Sequence, residues 1–345
     1  GEYGLLVRQG GTVTCDTASA AWTASSIYTN GTYTTLTFTR GVCTVTSQVG
    51  SGLNNSVDLN GTVVHNSGTV TITVAATTNV DFNGSSGNLN DVIINMSSGN
   101  CEYIGDTTIS GDLIITDGTF RYNSFDDLTV DGDVSIASGA VLGHSNTSSS
   151  SDSTFGSLTI VGTYEAPSGQ TKMKGNFANS GTFTNNDGKM YFEGPNSVIT
   201  GTGLIFYDLD CVDGGSGWTS FKNDFTVENE LDIQDWKGLQ LKCVDNTVTL
   251  TMGTATAQGE ITMLGAYTQI QGDNNTSNAA TITGVNSLYP AIITQYAGTT
   301  GKFFTDNKCQ LANVNVVNSF VTLGNTSTLT LTGDCEFDAV TVSSG

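Results

Sequence analysis

The chain has 345 residues, and its 11 Lys and Arg residues against 32 Asp and Glu residues give a formal net charge of −21. This balance argues against nucleic acid as a partner, because phosphate binding needs clustered cations, and against binding to anionic membranes. Charged residues make up only 12% of the chain, three Pro occur, and no long apolar run is present. The low charge content therefore argues against a salt-bridged helical protein, and a Pro-rich stalk and a membrane-inserted helix are excluded.

Residues 1–45 come first along the chain and do not match the repeats that follow. They begin at Gly1 without a charged-then-apolar leader, so we expect that any secretion signal has been removed. We interpret residues 1–45 as an N-terminal cap or assembly segment, with Leu5 and Val7 as assembly candidates, and residues 46–345 as the repetitive body.

Two decapeptides then align at an offset of 21 residues, 111–120 (GDLIITDGTF) and 132–141 (GDVSIASGAV). Both glycines, the Asp and the alternating apolar positions coincide. Alternation of this kind is the period-2 pattern of a strand with one buried face. Gly, Asn and Asp supply the corners at which such strands turn.

A second signature, Phe-x-x-apolar-Thr-apolar, recurs further along the chain. Copies occur at 125–130, 155–160 and 337–342, with looser copies at 89–94 and 206–211. The copies that start at 125 and 155 lie further apart than the two decapeptides do, and the polar segment 145–153 accounts for the excess as a loop.

These repeats predict an all-β chain and a particular architecture. A propeller blade would need about 40–50 residues, and an immunoglobulin-type sandwich does not require near-identical decapeptides one coil apart. We therefore predict a parallel β-solenoid (β-helix) with coils of about 21–25 residues, the length of two or three short strands with their corners.

Residues 173–194, followed by 199–203 (ITGTG) and 206–209 (FYDL), resemble the repeats of large secreted surface proteins and of phage or virus fibre proteins. The resemblance is strongest over about 40 residues and looser over 100–345. It implies a parallel β-solenoid with a structural or adhesive role and no enzyme centre.

Seven cysteines occur in a chain rich in Gly, Ser, Thr and Asn, which favours an oxidising compartment. None lies in a Cys-x-x-Cys pair, so a zinc ribbon has no support. We predict disulfides between sequence neighbours, with Cys101 free; the alternative is that all seven are reduced and buried. The predicted pairs are Cys15–Cys43, Cys211–Cys243 and Cys309–Cys335.

Asn-x-Ser/Thr sequons are frequent, as chance alone would give in this composition. The candidates for glycosylation are Asn30, Asn60, Asn83, Asn146 and Asn325.

Residues for catalysis are few. The two histidines, His65 and His144, are interpreted as surface polar groups. Carboxylate pairs on adjacent coils could perform general acid–base hydrolysis of a polysaccharide, given a suitable separation in a groove. The candidate pairs are Asp126/Asp127, Asp208/Asp210 and Asp232/Asp235. Turn chemistry explains such Asp residues equally well, and we predict no catalytic site and no cofactor.

Two binding functions have some support in the sequence. Asp131 and Asp133 could offer oxygen ligands to Ca²⁺, but a solvated acidic surface is the preferred interpretation. Alternating Thr runs occur at 69–73, 247–251 and 328–332. Ice binding would need such a run on every coil in one column, and β-propensity explains them more simply.

The segment 337–342 repeats the internal signature, so we expect an uncapped coil there, with Phe337, Val340 and Val342 as assembly candidates. The sequence thus predicts a non-enzymatic structural protein, a subunit of an extracellular filament, surface layer or virion fibre that stacks head to tail. Its partners would be copies of itself and, further, cell-surface glycans. The alternative is a carbohydrate-active or glycan-binding β-helix.

Overall fold

The fold is taken from a computed structural model. It describes residues 4–8, 10–15, 20–31, 33–48, 55–82, 87–122, 125–144, 150–212, 217–234, 237–243, 247–264, 269–272, 280–295, 302–303, 308–317, 320–323, 328–338 and 341–344.

Within these ranges the chain is all β and its neighbouring strands pair in parallel, so the predicted β-solenoid is confirmed. Helix is absent from the described ranges, and accordingly no membrane-spanning helix is found there. The chain divides into two compact units. The first comprises residues 1–170 and 181–184, and the second comprises residues 171–180 and 185–345.

The strands of the first unit are short. They are β1 (Leu5–Arg8), β2 (Thr12–Thr14), β3 (Trp22–Ala24), β4 (Ile27–Asn30), β5 (Thr35–Thr37), β6 (Val42–Val45), β7 (Asn55–Leu59), β8 (Thr62–Val64), β9 (Thr69–Ile72), β10 (Thr78–Asp81), β11 (Asp91–Tyr103), β12 (Thr107–Ile109), β13 (Leu113–Tyr122), β14 (Leu128–Val130), β15 (Val134–Ile136), β16 (Val141–His144), β17 (Ser153–Phe155), β18 (Leu158–Ile160) and β19 (Thr163–Glu165). Strand β20 (Gln170–Met173) starts at the last residue of this range, and β22 (Thr182–Thr184) also belongs to the first unit.

The second unit is built in the same way. Its strands are β21 (Phe177–Asn179), β23 (Lys189–Phe192), β24 (Asn196–Gly201), β25 (Leu204–Cys211), β26 (Gly217–Phe221), β27 (Phe225–Ile233), β28 (Lys237–Leu241), β29 (Val248–Met252), β30 (Glu260–Met263), β31 (Gln269–Gly272), β32 (Ala280–Gly284), β33 (Ala291–Gln295), β34 (Lys302–Phe303), β35 (Lys308–Ala312), β36 (Val314–Val317), β37 (Phe320–Leu323), β38 (Thr328–Thr332), β39 (Glu336–Asp338) and β40 (Thr341–Ser344).

Register gives the length of a coil directly. In the first unit Val92 pairs with Leu113 and Leu113 pairs with Val134, so the spacing of the two decapeptides in the sequence is one turn of the solenoid. In the second unit the step from Phe221 to its partner Leu241 is slightly shorter, whereas the step from Ile270 to its partner Phe303 is much longer. Strands on successive coils therefore stay paired, while the connections between them differ in length.

Three columns of parallel strands build each coil of the second unit. One column contains β21, β24, β26, β28, β31, β34, β37 and β40. Another contains β23, β25, β27, β30, β33, β36 and β39, and the third runs through β25, β27, β29, β32, β35 and β38. Long strands β25 and β27 each serve two columns.

The core lies between these columns. Val92, Leu113, Val134 and Leu158 stack in one apolar column of the first unit and are all essentially inaccessible to solvent. Aromatic rings fill the start of the second unit, where Phe221 stacks on Phe225 with ring centroids 3.7 Å apart. Like side chains therefore pack on like side chains from coil to coil.

The Gly-Asp signature has a structural cause. The Asp112 Oδ1 atom accepts a hydrogen bond from the Asp133 backbone N–H at 2.8 Å, and the Asp112 N–H donates to Asp91 Oδ1 at 3.0 Å. Gly132 makes room for this bond, since a Cβ built there would clash with Asp112 Oδ1. Each Asp thus joins its coil to the next one, and we name this chain of bonds the aspartate ladder.

A second ladder runs along another corner of the first unit, from Asp106 through Asp127 and Asp152 to the N–H of Gln170. In the second unit asparagine has the same role, since Asn176 Oδ1 accepts from the N–H of Val198 at 2.9 Å. Both Asp and Asn thus provide a side-chain oxygen that accepts from a backbone N–H of the next coil, and a negative charge is not required.

The predicted boundary at residue 45 stays a prediction. The described part of residues 1–45 already winds as coils, since β1 pairs with β4 and β3 pairs with β6. A three-stranded sheet of β2, β5 and β8 lies alongside.

Candidate functional site

Two features of the surface could carry a function: the strand edges at which the described coils begin and end, and an acidic face on the second unit. At the later edge, register within the described residues gives β38, β39 and β40 one partner strand each, namely β35, β36 and β37. At the earlier edge, β1, β2 and β3 pair with β4, β5 and β6. An edge with unused N–H and C=O groups is a template for another strand.

The apolar column at the later edge ends in an exposed side chain. Leu250, Ile282 and Leu311 occupy successive coils in register and are fully buried, whereas Leu331, the next member, is 48% exposed. The side chain of Leu331 points in the same direction as the buried side chains of its column, so it is exposed because no further described coil covers it.

Those sequence-predicted assembly residues that the structure describes fall at these edges. Phe337 is half-buried and pairs with Val316, which is fully buried. Leu5 is half-buried and pairs with Ile27, while Val7 is only 3% exposed. Val342 pairs with Val321, and Val340 lies outside the described residues. Leu331 was missed because nothing in its local sequence distinguishes it from the buried members of its column.

The acidic face is formed where β23, β25, β27 and β30 stack. Register places Asp208 beside Glu230 and Glu230 beside Glu260, and it places Asp210 beside Asp232. Neighbouring parallel strands are about 4.8 Å apart, so these carboxyl groups repeat at coil spacing. We name these five residues the carboxylate columns.

A cation sits among them. The Lys189 Nζ atom lies 3.2 Å from Asp210 Oδ1, and the Asp210 side chain is only 5% exposed. Burial alone would lower the pKa of Lys189, but the neighbouring Asp210 carboxylate raises it overall. The pKa of Asp210 is raised because burial outweighs the attraction of Lys189. This ion pair thus faces several further carboxyl groups.

Asp232 is the most perturbed carboxyl group of the face. Burial, followed by the charges of Glu230 and Asp210, raises its pKa from 3.8 to about 6, against the opposing effects of Lys189 and of a hydrogen bond with Thr262. Like charges that disfavour ionisation are the expected result of stacking carboxylates at strand spacing. Asp232 therefore holds a proton under mildly acidic conditions.

An open groove of about 370 Å³ adjoins the carboxylate columns, lined by Asn229, Glu230, Gln258, Gly259, Glu260 and Ile292. Of the predicted acid–base candidates, Asp208, Asp210 and Asp232 come together here, and Asp235 lies outside the described residues. Glu230 and Glu260 were missed, because only register shows that residues so far apart in the chain are neighbours.

Three of the other acidic candidates, Asp126, Asp127 and Asp133, have structural roles. Asp127 and Asp133 belong to the aspartate ladders, and Asp126 Oδ2 accepts from the N–H of Gly105 at 2.9 Å. In the part of the chain that the structure describes, no group of three or more His, Cys, Asp and Glu residues could hold a metal ion. His65 Nδ1 accepts from the N–H of Ser67, and the side chain of His144 lies outside the described set.

The predicted disulfides Cys15–Cys43 and Cys211–Cys243 are wrong: none of these four cysteines forms a disulfide, and neither does Cys101 or Cys335. The cause is packing against the coil above or below. Cys43 stacks between Trp22 and Val70, and Cys211 between Phe192 and Ile233. Since Cys335 is reduced, Cys309–Cys335 is not formed either; the Cys309 side chain lies outside the described residues.

The buried thiols are held in the neutral form. Burial raises the pKa of Cys211 to about 12, and burial together with the nearby Cys15 raises the pKa of Cys43 to about 12. The pKa of the fully buried Cys101 is raised as well, chiefly by burial. Such thiols behave as small apolar groups.

The glycosylation candidates are only partly covered. Asn30 ends β4 with an exposed side chain, and the exposed Asn60 donates from its amide to Asp58. Asn83, Asn146 and Asn325 lie outside the described residues.

The threonine runs are better ordered than the sequence indicated. Thr249 and Thr251 pair with Thr281 and Thr283 on the next coil. Gln310 and Ala312 interrupt the array before Thr330 and Thr332.

The comparisons with known proteins add no family. No family model matches the chain, no curated protein matches it, and no solved structure matches it.

Proposed function

We propose that this protein is a non-enzymatic structural subunit that stacks head to tail through its coil edges in an extracellular filament, surface layer or virion fibre. The observation that carries the proposal is the 48% exposure of Leu331 at the end of a column whose other members are fully buried. A further coil placed there would bury this side chain and pair the edge of β38 that faces away from β35.

Stacking of this kind is heterologous, because the earlier edge of one copy would meet the later edge of another. Heterologous contacts give open filaments when the rotation does not close. Neighbouring strands at both edges pair in parallel, so a second copy added in the same direction continues the existing hydrogen-bond pattern. A net charge of −21 keeps such copies soluble until their edges meet.

The test is replacement of Leu331 by Lys, with Val161→Lys as the matched control. Val161 is also 48% exposed, but it directly follows β18 inside the stack of coils, where its N–H donates to Ile136 O. We expect wild type and V161K to form fibres by electron microscopy, and L331K to stay monomeric by sedimentation. Equal assembly of all three, or monomeric wild type at every concentration tested, would refute the stacking role.

The extracellular location rests on the resemblance to secreted surface repeats and on the acidic, polar composition. Disulfides do not support it, since none is formed by the described cysteines. We propose copies of the chain itself as the partner, with cell-surface glycans as a further partner, and no cofactor.

A carbohydrate-active or glycan-binding role is the second candidate, because the carboxylate columns border the groove of Glu230 and Glu260. Two carboxyl groups at coil spacing are close to the separations that glycoside hydrolysis uses. Incubation with a panel of polysaccharides tests it. Reducing-sugar release that is lost in D232N and in E230Q would support it, and the absence of both release and binding would exclude it for that panel.

A further inference from the structure

The carboxylate columns also bear on how firmly the second unit holds its coils together. Five carboxyl groups, those of Asp208, Asp210, Glu230, Asp232 and Glu260, repeat across three successive strands of one face. Among them Lys189 forms an ion pair with Asp210 alone. Fully ionised columns would therefore place like charges side by side at every step from β25 to β30, which is destabilising.

Lys189 and a hydrogen bond with Thr262 favour the ionised form of Asp232, but burial and the neighbouring carboxyl groups outweigh them. Strand β25 presents Asp208 and Asp210, strand β30 presents Glu260 and Thr262, and β27 itself contributes Glu228 and Glu230. Glu228 is engaged elsewhere, since its Oε2 atom accepts from Asn185 Nδ2 at 3.3 Å. Asp208 Oδ1 accepts from Asn229 Nδ2 at 2.6 Å, which steadies one carboxylate without neutralising it.

We propose that the carboxylate columns act as a pH-sensitive clamp, in which a proton shared by Asp210 and Asp232 holds β25 and β27 together under mildly acidic conditions, and its loss near neutrality loosens these strands and the adjoining β30. Asp210 and Asp232 are register neighbours on adjacent coils, and the Asp232 Oδ1 atom is buried without a hydrogen-bond partner among the described residues, so a proton held there can be donated to the Asp210 carboxylate. Loosening is a local event, because each coil of a solenoid interacts mainly with its nearest neighbours.

The direction of the effect follows from proton binding. The pKa of Asp232 is raised from 3.8 to about 6 by burial and by its acidic neighbours, so the folded chain binds this proton more tightly than the unfolded chain does. Stability therefore falls as the pH rises through this interval and levels off above it. A depressed carboxyl pKa would give the opposite slope.

Amide hydrogen exchange on the full chain tests the clamp at pH 5 and at pH 7, after correction for the intrinsic exchange rate. We expect the protection of residues 230–233 and of Glu260–Met263 to be about tenfold lower at pH 7. This factor corresponds to about one unit of the pKa shift of Asp232, and the rest of the shift is discounted because the site is partly exposed. Protection of the aspartate ladder in the first unit serves as an internal reference and should not change.

Two variants and a control separate the clamp from a general effect of pH. In Asp232→Asn the side chain keeps its shape and loses its titration, so we expect similar protection at both pH values. In Glu230→Gln a charge that raises the pKa of Asp232 is removed, so the loss of protection should shrink and move to lower pH. The control Glu228→Gln, on the same strand, should keep the wild-type response.

The clamp can be overturned in two ways. Equal protection of the wild-type strands at pH 5 and pH 7 would overturn it, and so would an undiminished pH response in D232N. If D232N does not fold, E230Q with E228Q still decides, because the clamp requires that only the former alters the response. Fibre formation plays no part in these readouts, so failure here leaves the stacking proposal standing.

Discussion

The aspartate ladder makes the sharpest prediction about what holds the coils together. In Asp112→Ala the Asp133 N–H loses its side-chain acceptor at 2.8 Å, and the space beside Gly132 that this acceptor occupied is left to water. A hydrogen bond to a charged group contributes about 1.5–3 kcal/mol when buried, and Asp112 is exposed, so we expect a loss of about 1 kcal/mol.

Asp112→Asn separates the oxygen from its charge. Asparagine already performs this function at Asn176 in the second unit, where its oxygen accepts from Val198 at 2.9 Å. We therefore expect D112N to lose less than about half of what D112A loses. The control is Asp117→Ala, since Asp117 Oδ1 accepts from the adjacent Gly118 N–H, a bond that does not bridge coils.

Urea unfolding of the three variants and exchange of the Asp133 amide are the measurements. The expected order of stability is wild type, then D117A and D112N, then D112A, with faster exchange at Asp133 in D112A alone. If D112A matches D117A in its unfolding midpoint and leaves the Asp133 amide protected, the ladder does not bind the coils and its regular geometry is incidental.

Two further predictions concern the interior. Phe221→Ala should lower the free energy of unfolding, measured with urea, by about 3–5 kcal/mol. The reason is that it removes a fully buried ring stacked 3.7 Å from Phe225 and flanked by Phe192 and Phe206. A decrease below about 1 kcal/mol would mean that the surrounding core collapses to fill the cavity. With a thiol reagent at pH 8, the half-buried Cys335 should react well before Cys101 and Cys211, which are fully buried and whose pKa values burial raises, and equal rates for all three would contradict the packing.

The coil itself was predictable because its period is written twice in the sequence. Residues 111–120 and 132–141 repeat the same pattern, and Leu113 pairs with Val134, which is its counterpart in the second copy. Alternation of apolar and polar residues then indicated which side chains point inward. Local pattern suffices for these features, since each coil reproduces the one before it.

Features that depend on register across coils were not predictable. Sequence separation placed Cys211 near Cys243. However, Cys243 follows β28, which belongs to a different column from β25, and Cys211 packs on Phe192 and Ile233. The same limit hid Glu260 from the acidic face and left Asp127 among the acid–base candidates, although its oxygen accepts from the N–H of Asp152. The length of chain between paired strands varies from coil to coil in the second unit, so no fixed spacing identifies vertical neighbours there.

The aspartate ladder and the carboxylate columns show that acidic residues can either attract or repel the neighbouring coil. In the ladder each Asp carboxylate lies at a corner and meets a backbone N–H of the next coil, so its charge is attracted at every step. In the carboxylate columns the carboxyl groups lie mid-strand, where backbone donors are already used by the sheet, so each faces another carboxyl group. Placement relative to the corner thus decides whether an acidic residue meets a backbone N–H of the next coil or another carboxyl group.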